Sequence, residues 1–151
     1  MNRKTILLTA VPAGIGAAGL SYYLMLSRQK KVTVKVSPTD ATVCQTWQTA
    51  TVTVKNGLGK AIANATGTIC VYIAGEKARD QNGNTDYPFT TDANGSWSMS
   101  LCWEKPGTGT VPTTEYYPLS YVATVQGVTG TGTGRLVVPA GTVSCVCPGH
   151  Q

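Results

Sequence analysis

The sequence predicts an all-β fold, an antiparallel β-sandwich preceded by one apolar segment long enough to cross a bilayer. Three observations carry this. The stretch from Thr90 to Trp103 opens with the turn signal Asp92-Ala93-Asn94-Gly95. It then alternates strictly, with Trp97, Met99, Leu101 and Trp103 on one face and Ser96, Ser98, Ser100 and Cys102 on the other. That period of two marks a half-buried strand, and two Trp on one face need an apolar layer to pack against. Other short runs repeat the pattern at sandwich spacing, separated by Gly, Pro, Asn and Asp. After residue 26 no stretch shows the 3.6-residue period of an amphipathic helix.

In order, residues 5–26 form an uncharged run that as a helix reaches about 33 Å, close to the hydrocarbon thickness of a bilayer. Tyr22 and Tyr23 suit an interfacial aromatic belt, and Pro12, Gly14, Gly16 and Gly19 are tolerated in membrane helices. The expectation is an N-terminal hydrophobic anchor helix with basic flanks over 1–31. A cleavable signal peptide is the alternative, with Asn2-Arg3-Lys4 as its basic region and Gly16-Ala17-Ala18 as its cleavage site. The Ala-Ala-Gly-Leu-Ser-Tyr-Tyr texture is similar to archaeal pilins, but no Gly follows the basic residues to mark a pilin cleavage site.

From Val32 the period becomes two. Val32, Val34 and Val36 alternate with Thr33, Lys35 and Ser37, and Pro38 ends the run. Ala50, Val52 and Val54 alternate with Thr51, Thr53 and Lys55 before the turn Asn56-Gly57-Leu58-Gly59. Thr66 to Ile73 reads as a third strand and residues 76–86 as a polar loop. Residues 105–114, rich in Gly, Pro and Thr, read as an irregular connection. Leu119 to Val125 and Gly134 to Val138 supply the last strands, with the Thr/Gly run 127–132 read as the link between them. The sandwich body is 32–139, and 140–151 is a Cys-containing tail able to donate a strand to a neighbour.

The order of these motifs resembles the bacterial Ig-like domain of invasin and intimin. The family's T-V-T-V-K strand and Gly-containing turn correspond to Thr51 to Gly57, followed by small residues at Ala61 to Gly67. Its T-D-A-N-G signature is Thr91 to Gly95, and its late Tyr-x-Ala-Thr-Val strand is Tyr121 to Val125. The match covers roughly Val32 to Pro139, with departures at 76–86, at 105–118 and in the cysteines. The resemblance implies an Ig-like sandwich and a non-enzymatic spacer or binding module of a surface protein.

The chain carries a formal charge of +5, but Arg3, Lys4, Arg28, Lys30 and Lys31 precede the body and no acid lies among them. Beyond Lys31, seven Lys or Arg face seven Asp or Glu. The body is formally neutral and offers no footprint for phosphates, so no nucleic-acid partner is expected. The flanking cations favour a cytoplasmic body by the positive-inside rule. The cysteines and sequons favour the opposite side, which is the expectation adopted, because whole domains translocate despite flanking charge.

Cys44, Cys70, Cys102, Cys145 and Cys147 all follow the anchor and lack zinc-site spacing, which makes them disulfide candidates. Cys70 and Cys102 are expected on opposite outer faces, too far apart to join each other. Their partners would be the tail, the Cys44 loop or a neighbouring subunit, and an odd count leaves at least one thiol unpaired. Asp80, Asn82, Asn84 and Asp86 place oxygens at alternating positions, as calcium loops do. Thr85 and Thr91 stand where such a loop needs Gly and Glu, so a solvated loop tip is the reading adopted. Asn64 and Asn94 head glycosylation sequons. Catalytic residues and cofactors are not expected: His150 is penultimate, and Gly130 to Gly134 lacks a phosphate loop's Lys. The functional expectation is a membrane-anchored, extracytoplasmic structural protein. Its partners would be the membrane, through 5–26, and copies of itself in a surface appendage or virion. A monomeric adhesin or receptor and a non-catalytic subunit of a membrane complex are the alternatives.

Overall fold

The computed structural model describes residues 31–37, 40–45, 47–80, 82–105 and 107–147, with Ser21, Leu24, Met25 and Ser27 ahead of them in helical conformation. Nearly all of the expected anchor over 5–26, its Pro12 and glycines included, lies outside the described residues, as does His150. Among the described residues no helix is long and apolar enough to cross a membrane.

Among the described residues nine strands follow: β1 (Val32–Ser37), β2 (Ala41–Thr42), β3 (Gln48–Asn56), β4 (Thr66–Ile73), β5 (Glu76–Lys77), β6 (Tyr87–Thr90), β7 (Ser96–Leu101), β8 (Glu115–Val125) and β9 (Val128–Val138). One sheet has the order β1-β3-β7. The other runs β2-β9-β8-β4, with β5 and β6 both on the outer edge of β4. All pairings are antiparallel except the short β2–β9 pair. Three strands of one sheet packed on a sheet whose central strands are the third, and last two, long strands of the chain define an Ig-like sandwich.

Register follows from burial. Val34 and Val36 lie opposite Val54 and Val52, so one apolar face of each strand is presented to the core while Thr33, Lys35 and Ser37 stay outside. Slipping either strand by one residue would turn every valine to solvent. The centre of the core is Val52, Val54, Ile69, Val71, Leu119 and Val125, all essentially inaccessible. The T-D-A-N-G segment is fastened at both ends. Thr91 is buried; its Oγ1 donates to the Ile62 carbonyl at 2.8 Å and accepts the Ala65 N–H at 2.9 Å. Asp92 Oδ1 accepts the N–H groups of Asn94 and Ser96, and Gly95 turns at φ +68°. This is an Asx-closed turn of the kind the sequence announces.

The last strand is longer than expected. Val128 to Val138 is one strand, paired along its whole length with β8 through a two-residue turn at Gln126 and Gly127, both at positive φ. Thr129, Thr131 and Thr133 point outward, whereas Gly130 and Gly132 are buried. A Cβ at Gly130 would overlap the Val34 carbonyl, because β1 lies directly against β9. The Thr/Gly run is therefore an alternating strand whose inward side chains are absent so that the two sheets can approach closely.

The tail is closed onto its own domain, as its cysteines allow, and is not extended from it. Residues 140–147 fold back on the sandwich: Gly141 donates to the Val111 carbonyl, Val111 to Thr142, and Cys145 to Lys105. A segment bound in this way within its own domain is not available as a donor strand, which corrects the expectation for 140–147. Residues 148–151 lie outside the described set.

Candidate functional site

β7 is the edge of the three-stranded sheet, since it pairs with β3 alone. Opposite it the larger sheet ends in β6, which pairs with β4 alone. The two sheets are pinned here by Phe89 of β6, stacked on Trp97 of β7 at 5.2 Å between ring centroids. Beyond this contact the sheets part and leave an open cleft of about 590 Å³, several times the ~150 Å³ that encloses a benzene ring.

One wall of the cleft is the unbroken run Met99 to Glu104. Within β7, which ends at Leu101, side chains point alternately to opposite faces, so Met99, Ser100 and Leu101 can line one wall in succession only along the strand's backbone edge. Cys102 to Glu104 continue the wall beyond the strand. Val71 and Ile73 of β4 form the floor, Ala78, Arg79, Asp80, Asn82 and Tyr87 the far wall, and Trp47 and Cys147 close one end. Trp103 Nε1 is buried at this wall without a hydrogen-bond partner among the described residues. Burial against apolar neighbours pushes the Tyr87 phenol upward, keeping it a neutral hydrogen-bonding group. The hydrogen bond from the Asn84 side chain holds Asp80 below the usual carboxylate range, so Asp80 is a standing charge and not a proton donor near neutral pH.

One of two disulfides, Cys102–Cys147, borders the cleft. Cys102, just past β7, is bonded to Cys147, and Cys44 to Cys145. Together they fasten one short segment to the end of β7 and to the loop before β3. Of the partners expected for Cys70 and Cys102, the tail takes Cys102; Cys44 joins neither of them and is bonded to the tail itself. Cys70 is corrected as a disulfide candidate: it is a free, buried cysteine near the Tyr72 hydroxyl and the Val122 carbonyl. It occupies the centre of the larger sheet, where neighbouring side chains cover even the outward face.

The oxygen-rich loop does not gather its oxygens. Asp80 accepts from Asn82 and Asn84 backbone N–H groups and from Asn84 Nδ2. Asp86 instead pairs with Lys77 at 2.7 Å and accepts from Thr85. Among the described residues no three His, Cys, Asp or Glu come together as a metal site. Asn64 and Asn94 both lie exposed at turns, sterically open to modification. The cleft itself has no signal in the sequence, because its walls come from the β7 edge, from Ala78 to Asp80 with Asn82 and Tyr87, and from the tail, which only folding brings together.

The site and fold thus define a disulfide-clamped Ig-like sandwich with an apolar cleft along one open strand edge. The chain matches no family model and no curated protein sequence. Among solved structures it is similar to the CARDB domain of a Pyrococcus furiosus protein, crystallised in complex with di-metal ions. Identity is 18%, coverage 72% of this chain and 94% of that one, and the TM-score 0.39. That likeness is too distant to carry an argument about ligands, and the sandwich assignment rests on the strand order described above.

Proposed function

We propose that this protein is a non-enzymatic, membrane-anchored structural module of the extracytoplasmic side, a subunit that associates with copies of itself in a surface appendage or virion. The observation that carries the reading is the pair of disulfides closing the tail onto the sandwich, since such bonds persist in oxidising compartments and are rare in the cytosol. A formally neutral body supports close packing of identical copies. The invasin and intimin resemblance of Thr51 to Gly57, Thr91 to Gly95 and Tyr121 to Val125 supports a surface role, and residues 5–26 supply the membrane attachment. Asn64 and Asn94 are then accessible to glycosylation.

The cleft favours one second reading, a tethered adhesin or receptor that binds another molecule, because Trp47 is 46% exposed at its end. Protease added to intact cells or particles tests the location: digestion of the body is expected, and complete protection would refute it. Electron microscopy of native material separates the readings, with regular assemblies expected for a structural subunit and dispersed monomers for a receptor.

A further inference from the structure

The other strand edges of the sandwich carry devices that discourage strand addition. On β1, Lys35 is exposed, Pro38 follows, and β9 packs against the strand. β2 and β5 have two residues each, and β5 is Glu76-Lys77. β6 contains Pro88. By contrast β7, Ser96-Trp97-Ser98-Met99-Ser100-Leu101, has six residues with no charge and no Pro, and it borders an apolar cleft.

Its hydrogen-bond phase is fixed by the Val54 N–H to Gly95 carbonyl bond of 2.8 Å. In an antiparallel ladder the bonded pairs alternate. Trp97, Met99 and Leu101 therefore exchange bonds with β3, and Ser96, Ser98 and Ser100 turn their N–H and C=O groups away from it. Ser96 is already occupied, since its carbonyl accepts from Asp92 N–H and its N–H donates to Asp92 Oδ1. Ser98 and Ser100 remain, placed symmetrically about Met99, with outward backbone groups that no other described residue engages.

We propose that this edge is an interface for a second copy of the chain, β7 pairing antiparallel with β7 about a two-fold axis at Met99. The inference rests on the self-association reading and names its contact. Ser98 of each copy exchanges two backbone bonds with Ser100 of the other, using the two free positions and leaving none over. An uncharged strand meets its own copy without like-charge repulsion. Trp97 comes to lie opposite the partner's Leu101, an aromatic–aliphatic cross-strand pair, and the inward side chains of the partner occupy the cleft mouth. The two three-stranded sheets become one of six strands.

The test uses the full chain in detergent micelles, with sedimentation analysis and amide hydrogen exchange over a range of concentrations. Ser98→Pro removes the outward N–H, the guard that natural edge strands use, together with the exposed 2.9 Å hydrogen bond between the Ser98 and Thr51 hydroxyls. Ser98→Lys loses the same hydroxyl bond but keeps the N–H and sets a charge on the exposed face beside the axis. Each is expected to weaken association about tenfold or more, with disulfides and thermal unfolding retained. Protection of the Ser98 and Ser100 amides should rise with wild-type concentration. If Ser98→Pro fails to fold, Ser98→Lys decides. Undiminished assembly of a folded variant would overturn the β7 interface while leaving self-association standing, and a wild-type chain that stays monomeric throughout would overturn both. Protection that does not change with concentration would mean the edge is covered within a single chain, which also refutes the proposal.

Discussion

Gly95 lies where two demands on one residue can be separated by experiment. Its φ of +68° lies in the left-handed region, which costs any residue with a Cβ about 1–2 kcal/mol. A Cβ built there would also lie 2.6 Å from the Val54 carbonyl oxygen and 2.9 Å from the Ile62 nitrogen. Those two atoms are themselves bonded at 3.0 Å, and Gly95 accepts the Val54 N–H at 2.8 Å. A methyl group at Gly95 must displace one of these bonds, adding about 1 kcal/mol. Gly95→Ala is therefore expected to destabilise by about 2–3 kcal/mol, a fall in Tm of about 8–12 °C for a domain of this size. Gly59 is the control: its φ is +80° but no atom lies within 4 Å of the added Cβ. Gly59→Ala should cost only the backbone component, about 1–2 kcal/mol and about 4–8 °C, which is about 1 kcal/mol less than Gly95→Ala. Chemical denaturation and calorimetry of the two variants measure the difference directly. Equal losses would refute the contact argument and leave only conformational preference, and an unchanged Gly95→Ala would refute both.

Other expectations follow from the same contacts. Trp97→Ala removes the stacking on Phe89 and part of the contact between the sheets, so a loss of about 2–4 kcal/mol in chemical denaturation is expected. Non-reducing peptide mapping should return Cys44–Cys145 and Cys102–Cys147, with Cys70 alkylated only after unfolding. Replacing Cys44 and Cys145 by Ser opens a loop with a sequence separation of 101 residues and should cost about 2–5 kcal/mol. The Arg135 side chain holds Asp40 below its ordinary 3.8. A depressed folded pKa gives stability that is present above 3.8 and lost as pH falls through the folded value. Both groups are exposed, so the effect is small, and Asp40→Asn should flatten the acid limb of a Tm-versus-pH profile by lowering its neutral plateau slightly, with little change at the acid end.

The sequence by itself determined the strands whose two faces differ chemically. Val32 to Ser37 forms at the bounds its alternation indicates, because solvation of every second side chain is a local property. Thr66 to Ile73 also forms at the expected bounds, although Ile69, Cys70 and Val71 are buried in succession. The turn at Asp92 to Gly95 was equally legible, since Asx capping and positive φ are needs of a few consecutive residues. The Thr/Gly strand carried the same period of two in Thr129, Thr131 and Thr133, but its inward positions bear no side chain. Why they are glycines became visible only with β1 lying against Gly130. The tail was indicated as oxidised by its cysteines, yet which cysteine meets which depended on bringing Cys44, Cys102 and residues 140–147 to one end of the sandwich. Edge status, likewise, is not a property of Ser96 to Leu101. Any amphipathic strand has two backbone edges, and only the packing order β1-β3-β7 left one of them facing an apolar cleft, because hydrogen-bond partners are assigned by tertiary placement and not by the residues that carry the donors.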